Sequence, residues 1–254
     1  MRLIADCGNS TIKLGLAHDG GIWSHERLAP REDALSAFVQ PHLRAIEELV
    51  VLPGSRAHAE LLAAWWSRIA AGKPLRRIGS EIPVPALGQY ATCGVDRVLA
   101  GLVACRQERR SLVVVDAGTA TTLTAWRYDA HADPARTIVF LGGLIAPGAA
   151  ACAAGLSSLA PALPHVEPLG PEAGACQHDT YGAIAAAIGI GHGPMILACL
   201  DRLRRESTIA EVIATGGGCG ALIAAGAIPR LAYRPSLVLE GIEELCRAQT
   251  PGAR

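Results

Sequence analysis

The chain has 254 residues, and its 23 Lys and Arg side chains balance 23 Asp and Glu side chains. A neutral chain shows no electrostatic footprint for nucleic acid or a membrane surface, and this length suffices for one large domain or two halves with real cores. Half of the residues are hydrophobic but only 4% are aromatic, so Ala, Leu, Val and Ile must form the core. We therefore expect a compact enzyme that acts on small molecules, without nucleic-acid or membrane partners.

The cysteine pattern and the apolar stretches favour a cytoplasmic location. The eight cysteines are scattered without a C-x-x-C pair, and the eight histidines show no metal-ligand spacing. Asp6 interrupts the first apolar stretch, and no basic segment precedes it, unlike in a signal peptide. Residues 141–164 lack charge but contain Pro147 and Pro161, which makes them a poor membrane span.

The first half of the sequence predicts three strands, followed by alternating helices and a strand. The turn His18-Asp19-Gly20-Gly21 is typical of a hairpin between the second and third strands. Trp65 and Trp66 are adjacent, so we interpret them as core or interface residues rather than a stacking platform. The predicted strands are 2–8, 11–17, 21–27 and 49–54, and the predicted helices are 31–50, 57–71 and 97–109.

The second half repeats this order. The repeat predicts a duplicated ribonuclease-H-like α/β fold, with halves 1–109 and 110–254 that are each a mixed sheet flanked by helices. The halves meet at a charged connection over 106–111. The predicted strands are 111–116, 120–127, 137–142 and 209–214, and the predicted helices are a segment after Pro147, 180–204 and 237–247.

One motif occurs once in each half. Asp6-Cys7-Gly8 follows a buried strand, and Asp116-Ala117-Gly118 follows another about 110 residues later. A single Asp-x-Gly is common in turns, so one copy alone has the alternative interpretation of a turn former. Carboxylates at two strand ends, with glycines that let the backbone approach, suit cations and phosphate oxygens. The pair is therefore expected to clamp one nucleotide triphosphate.

Gly94-Val95-Asp96-Arg97 carries a third carboxylate just before an apolar helical run. Asp96 has a structural interpretation as a helix N-cap. It has a chemical one as the group that takes the proton from an attacking hydroxyl, with Arg97 holding an acidic part of the substrate. Glycines at 142–143 and 216–218 also follow predicted strands and indicate close backbone approach, for packing or for a ligand.

At these residues the sequence resembles the type III pantothenate kinases, a branch of the acetate and sugar kinase/Hsp70/actin superfamily. The resemblance extends from Asp6 to Leu245, nearly the whole chain. It rests on the two Asp-x-Gly motifs, Gly94 to Arg97, Gly142 to Gly148, Asp179-Thr180 and Thr215-Gly216-Gly217.

The resemblance implies ATP-dependent phosphorylation of pantothenate to 4'-phosphopantothenate, the first step of coenzyme A synthesis. Asp96 would be the proton acceptor, Asp116 the ligand of a potassium or ammonium ion, and Asp6 a candidate Mg²⁺ ligand. The implied ATP contacts are Asp6, Cys7, Gly8, Asn9, Ser10, Thr11, Ile12, Lys13 and Thr119. The implied pantothenate contacts are Tyr90, Gly94, Val95, Asp96, Arg97 and Thr180, in a site formed across a homodimer.

Two other functions stay open at this point. The first is phosphorylation of a different small hydroxyl compound, because the loop from Tyr90 to Gly94 is shorter than is usual in the family and lacks its frequent Asn-Pro. The second is a nucleotide-binding regulator of the same superfamily without kinase activity. A pure binder has no need of Asp96, which favours the enzyme.

Overall fold

Two mixed sheets organise the chain, each within its own compact unit. The computed structural model describes residues 1–18, 20–228 and 232–249, and for Ala135 the backbone only. The first unit consists of Met1–Arg106 together with the chain from Ser236 onward, and the second is Gln107–Pro235. Asp19, part of the predicted hairpin turn, lies outside the described residues.

The first sheet confirms the predicted strands of the first half and adds one. Its order is β3-β2-β1-β4-β5, with β1 antiparallel to β2, β2 antiparallel to β3, and β4 parallel to both β1 and β5. Leu3, Ile4 and Ala5 of the central strand are fully buried, as expected where both faces of a strand are covered. The strands are β1 (Arg2–Cys7), β2 (Ile12–His18), β3 (Gly21–Leu28), β4 (Glu48–Leu52) and β5 (Leu75–Arg77).

Four helices belong to this unit for all or most of their length. Trp65 and Trp66 are both buried, which confirms them as core residues, and Trp65 Nε1 donates to Ser36 Oγ at 2.9 Å. The helices are α1 (Glu32–Val39), α2 (Arg56–Ile69), α3 (Val95–Glu108) and, after the second unit, α7 (Leu237–Ala248).

The predicted helix over 31–50 is wrong in its second half. Helix α1 ends at Val39, a single 3-10 turn Gln40–His42 contains Pro41, and β4 begins at Glu48. Proline has no N–H to continue the helical ladder. The segment after Pro41 is held by a side chain from elsewhere in the sequence, because Lys73 Nζ donates to the carbonyl oxygens of Leu43 and Ile46, both at 2.6 Å.

Helix α7 packs on the first sheet although it follows the whole of the second unit in the sequence. It contacts β1, β2 and β3, and a Cβ on Gly15 of β2 would lie 2.9 Å from Leu239 Cδ1. It also approaches α3 closely, since a Cβ on Gly241 would lie 2.6 Å from the carbonyl oxygen of Leu99. The compact units therefore differ from the predicted halves 1–109 and 110–254, because α7 belongs to the first unit although the prediction includes it in the second half. The division into these halves stays a prediction.

A network of ion pairs fastens α7 to the strands. Arg2 of β1 contacts Glu48 of β4 at 2.6 Å and Glu243 of α7 at 2.7 Å, and Arg76 of β5 contacts Glu48 at 2.8 Å. Glu243 is only 5% exposed. Burial opposes the charge on Arg2, but its hydrogen bonds to Glu48 and Glu243 outweigh that effect and raise its pKa.

We expect Glu243→Ala to lower the free energy of unfolding by about 2–3 kcal/mol, because it takes one carboxylate from a largely buried guanidinium. Guanidinium denaturation monitored by circular dichroism measures this. Glu60→Ala is the matched control, since Glu60 pairs with Arg56 on the solvent-exposed side of α2. Equal effects of the two substitutions would contradict a special contribution from the buried pair.

The same network makes stability depend on pH. Burial disfavours the Glu48 carboxylate, but hydrogen bonds from Arg76 and Arg2 outweigh burial and hold its pKa below the usual value. A pKa lowered by folding stabilises the protein above the unfolded-state pKa, and this stabilisation disappears as the pH falls through the folded-state pKa. The contribution of Glu48 is thus complete at neutral pH and lost in acid.

The second sheet has the order β8-β7-β6-β9, in which β7 is antiparallel to β6 and β8, and β9 is parallel to β6. This repeats the arrangement of β3, β2, β1 and β4, so the fold is the duplicated ribonuclease-H-like α/β class that the sequence predicts. The strands are β6 (Leu112–Ala117), β7 (Ala120–Tyr128), β8 (Ile138–Pro147) and β9 (Val212–Thr215), and the helices are α4 (Ala149–Leu159), α5 (Thr180–Ser207) and α6 (Cys219–Ala224).

Among the described residues, one helix is long and apolar enough to span a membrane by length and composition alone, namely α5 with 28 residues. Helix α5 packs on β7, β8 and α4, with 28% of its most apolar stretch buried, and a single helix of this length and composition is weak evidence for a membrane span. All eight cysteines are described and carry free thiols.

Candidate active site

Asp6 and Lys13 form an ion pair at the end of the first two strands. They are directly opposite in the β1–β2 ladder, and Lys13 Nζ lies 3.3 Å from Asp6 Oδ2. Both side chains are mostly buried, so the lysine charge is held next to the carboxylate instead of extending into solvent. The turn between the strands contains Asn9 and Ser10, which are exposed. A buried ion pair thus lies beside an open turn.

Asp96 lies in the first turn of α3 and folds back on its own backbone. Its Oδ1 accepts a hydrogen bond from the Arg97 N–H at 2.9 Å. A Cβ on Gly94 would lie 2.4 Å from that same oxygen, so only glycine at this position leaves room for the carboxylate. Gly94 is therefore required for this placement of the Asp96 carboxylate, whether or not Gly94 itself contacts a ligand.

The surroundings of Asp96 raise the pKa of its carboxyl group. The largest cause is desolvation, which the Arg97 N–H partly opposes; the charge of Asp6 raises the pKa further, whereas Lys13 and Arg97 lower it. Asp96 is thus close enough to Asp6 and Lys13 to respond to their charges. A raised pKa makes the Asp96 carboxylate a stronger proton acceptor than an ordinary aspartate.

Arg97 and Tyr90 form a second polar pair in this unit. Arg97 is 5% exposed, and its Nη1 donates to the Tyr90 hydroxyl at 2.6 Å. The guanidinium carbon also lies 5.9 Å from the centre of the tyrosine ring, within the range of a cation–π contact. Tyr90 itself is 47% exposed. The short loop before Gly94 therefore still brings Tyr90 to Arg97.

In the second unit, two glycine-containing segments, at Gly148 and at Gly216 to Gly218, approach the Asp116 turn. A Cβ on Gly216, whose φ is +94°, would lie 2.4 Å from both Asp116 Oδ1 and the Ala117 carbonyl oxygen. A Cβ on Gly148 would lie 2.4 Å from the carbonyl oxygen of Gly118. Backbone bonds close the arrangement, with Gly218 N donating to Ala117 O at 2.8 Å and Gly148 N to Thr119 O at 2.9 Å. The predicted close backbone approach is thus confirmed at Gly216 and Gly218, where it serves packing around the turn. It is wrong at Gly142, which lies inside β8 and where an added Cβ would meet no atom within 4 Å.

Thr180 begins helix α5, and Asp179 caps that helix by accepting from Gly182 N at 2.7 Å. Thr180 is exposed. Within the described ranges, no group of three or more His, Cys, Asp or Glu side chains has the arrangement of a metal site.

The structure brings together Asp6, Lys13 and Asp96 in the first unit, and Asp116, Gly118 and Thr119 in the second. It also shows a contact that the sequence did not reveal, because His58 lies against Gly8. Ser55-x-x-His58 has the pattern of an ordinary helix start, and no sequence signal connects it to a turn 50 residues away.

Comparisons with known proteins identify the family of this chain. The sequence model of the type III pantothenate kinase family matches residues 2–202. Type III pantothenate kinases of Halorhodospira halophila and Thiobacillus denitrificans are 31% and 34% identical to this chain. The first alignment covers 95% of this chain and 96% of the relative, and the second covers 97% of each.

Two solved structures share the fold. A protein assigned to the Baf family of transcriptional activators from Campylobacter jejuni has a TM-score of 0.54 at 18% identity, over 97% of this chain and 98% of its own. A 2-dehydro-3-deoxygalactonokinase protein from Sinorhizobium meliloti has a TM-score of 0.53 at 16% identity, over 99% and 100%. At these identities the likeness concerns the fold alone. The family match over most of the sequence goes further: this chain belongs to the type III pantothenate kinase family.

Proposed function

We propose that this chain transfers the γ-phosphoryl group of ATP to the primary hydroxyl of pantothenate, giving 4'-phosphopantothenate and ADP. The observation that carries the proposal is Asp96, a carboxylate with a raised pKa beside the Asp6–Lys13 ion pair. Membership of a kinase family gives ATP as phosphoryl donor and a divalent ion as its companion. This reaction is the first step of coenzyme A synthesis, and we expect the protein to carry it out in the cytoplasm.

In the proposed reaction, the pantothenate oxygen attacks the γ-phosphorus and loses its proton to Asp96. The bond from that phosphorus to the β-phosphate bridging oxygen breaks, and ADP leaves. Phosphoryl transfer has a loose transition state, so positioning and charge neutralisation contribute more than the strength of the base. Lys13 supplies positive charge to the phosphates, and Asp96 accepts the proton late.

The other residues of the site have the following proposed roles. The turn from Asp6 to Lys13 binds the triphosphate, with Thr119 as a further contact, and Asp6 is the candidate carboxylate for Mg²⁺. Arg97 and Tyr90, already joined by a hydrogen bond, bind pantothenate through its carboxylate. When bound, Mg²⁺ would neutralise charge on the transferred phosphate.

A monovalent cation and a second subunit complete the proposal. Asp116 Oδ1 and the Ala117 carbonyl oxygen lie close together, since a Cβ on Gly216 would be 2.4 Å from both, and oxygen ligands of this kind are what potassium or ammonium needs. In the proposed homodimer, Thr180 would reach the partner's site, and exposed apolar side chains on β8, α4 and α5 are the candidates for its interface. These side chains are Leu141, Leu144, Ile145, Leu156, Leu159 and Tyr181.

An activity assay and a sedimentation measurement test this proposal. ADP release is measured with pantothenate, acetate or common sugars as acceptor, each with potassium, ammonium or sodium as the only monovalent cation. We expect turnover with pantothenate and stimulation by potassium or ammonium, and sedimentation of the same preparation should give a dimer. Turnover with a sugar or acetate only would identify another kinase, and nucleotide binding without any turnover would favour a regulator.

A further inference from the structure

The start of helix α2 is docked onto the turn that follows β1. Ser55 N donates to the carbonyl oxygen of Cys7 at 2.6 Å, and His58 Nδ1 lies 2.6 Å from the carbonyl oxygen of Gly8. A Cβ on Gly54 would lie 2.8 Å from the Cys7 oxygen, so the approach is as close as a glycine allows. Two consecutive carbonyl groups of the turn are therefore bound by one helix end.

The direction of the His58 hydrogen bond is fixed by its partner. A backbone carbonyl oxygen only accepts, so Nδ1 carries the hydrogen, and it does so in the neutral Nδ1–H tautomer as well as in the imidazolium. The residue is held in place at the helix start, because its own N–H donates to the capping Ser55 Oγ at 3.4 Å. His58 is half-buried, as suits a side chain inserted between a helix and a turn.

These two bonds also orient the amides of the turn. In a trans peptide the C=O and the N–H of the same unit point in opposite directions. Binding of the Cys7 and Gly8 oxygens by α2 therefore directs the N–H groups of Gly8 and Asn9 away from α2. Backbone N–H groups in turns are effective donors to phosphate oxygens.

The Gly8–Asn9 peptide needs such a restraint. A peptide next to glycine can rotate at little steric cost, because glycine has no Cβ to restrict it. The following residues Asn9 and Ser10 are exposed, so packing does little to hold this peptide. His58 contributes a side-chain hydrogen bond to its carbonyl group.

We propose that His58 is a positioning residue for the ATP phosphates, acting through the Gly8 carbonyl group to hold the Asn9 N–H in the orientation that donates to them. The inference rests on the proposed function in that it takes the triphosphate to bind at the Asp6–Lys13 turn. His58 contacts the turn and not the reacting atoms. Its loss is therefore a defect in nucleotide affinity more than in the chemical step.

Three substitutions at this position separate positioning from general packing. His58→Leu and His58→Gln should each raise the KM for ATP about tenfold, with kcat at saturation and the KM for pantothenate changed less than about twofold. His58→Asn should restore the KM for ATP to within about threefold of the wild type. The asparagine amide nitrogen lies at nearly the position of Nδ1, whereas the glutamine nitrogen lies one bond further out.

The matched control is His25→Leu, which changes an exposed histidine on β3 of the same unit. It should leave both KM values unchanged. If His58→Leu does not fold, the comparison of His58→Gln with His58→Asn carries the test. An unchanged KM for ATP in His58→Gln, no rescue by His58→Asn, or an equal rise in the KM for pantothenate would overturn the proposal.

Calorimetric titration of each variant with MgATP distinguishes this proposal from the proposed function. A wild-type chain that binds MgATP but does not phosphorylate pantothenate would contradict the function alone. The dissociation constants of the His58 variants would then decide the present inference, with the same tenfold weakening and the same rescue expected. Equal dissociation constants in all variants would overturn it even if pantothenate is phosphorylated.

Discussion

Asp96→Asn is expected to lower kcat by about 10²–10⁴-fold, the usual span for loss of a general base. Asparagine keeps an oxygen that can accept from the Arg97 N–H, so the start of α3 and the fit against Gly94 should survive. What it lacks is a carboxylate to receive the hydroxyl proton. Initial-rate kinetics with saturating ATP and pantothenate measure the loss, and MgATP titration should show near-normal binding.

The pH dependence of the wild type provides a second measurement on the same residue. The base works only when ionised, and desolvation raises the pKa of the Asp96 carboxyl group. The acid limb of the kcat profile should therefore lie at higher pH than for an ordinary aspartate, with activity falling as pH decreases through it. Asp201→Asn, which changes a half-exposed carboxylate on α5, is the control and should change neither kcat nor the position of the acid limb. Near-wild-type turnover of Asp96→Asn would exclude Asp96 as proton acceptor.

Lys13→Met is expected to lower kcat/KM for ATP by about 10²–10³-fold, as loss of one pre-positioned electrostatic donor does elsewhere. The substitution removes the charge 3.3 Å from Asp6 and leaves two neighbouring carboxylates, Asp6 and Asp96, to repel the triphosphate. Kinetics at varied ATP measure the effect, and the KM for pantothenate should change much less.

The chain provides its own control, because Lys73 is the only other lysine in the sequence. Lys73 Nζ binds the carbonyl oxygens of Leu43 and Ile46, in the segment between α1 and β4. Lys73→Met should therefore lower the thermal unfolding temperature with little change in kcat/KM for ATP. The opposite pattern, a kinetic defect in Lys73→Met and none in Lys13→Met, would contradict the assignment.

Local sequence patterns predicted most of the fold, and the exceptions have physical causes. Continuous apolar runs such as Leu3 to Ala5 predicted buried strands because the core strand is covered on both faces. The three-residue strand β5 was missed because Leu75–Arg77 has no apolar pattern and depends on pairing with β4. Helix 31–50 was extended too far because apolar spacing continued past Pro41, where tertiary hydrogen bonds take over.

In the candidate site, too, local patterns were predicted from the sequence and long-range contacts were not. Asp6 and Asp96 were found from the sequence because carboxylates beside glycines at element ends form a local pattern. The burial of Asp96, which is the main cause of its raised pKa, and its closeness to Asp6 depend on residues that are distant in the sequence, with Asp6 and Asp96 themselves about 90 positions apart. His58 could not be found, since its partner is a backbone oxygen, which every residue has and no sequence identifies.

The position of helix α7 has a consequence for the order in which the protein is made. During synthesis from the amino terminus, every strand of the first sheet leaves the ribosome long before the helix that packs on β1, β2 and β3. The second unit, Gln107–Pro235, is one uninterrupted segment and is complete while the first still lacks α7. A nascent chain halted near Ser236 would therefore expose apolar sheet surface, and we expect it to depend on chaperones until α7 is released.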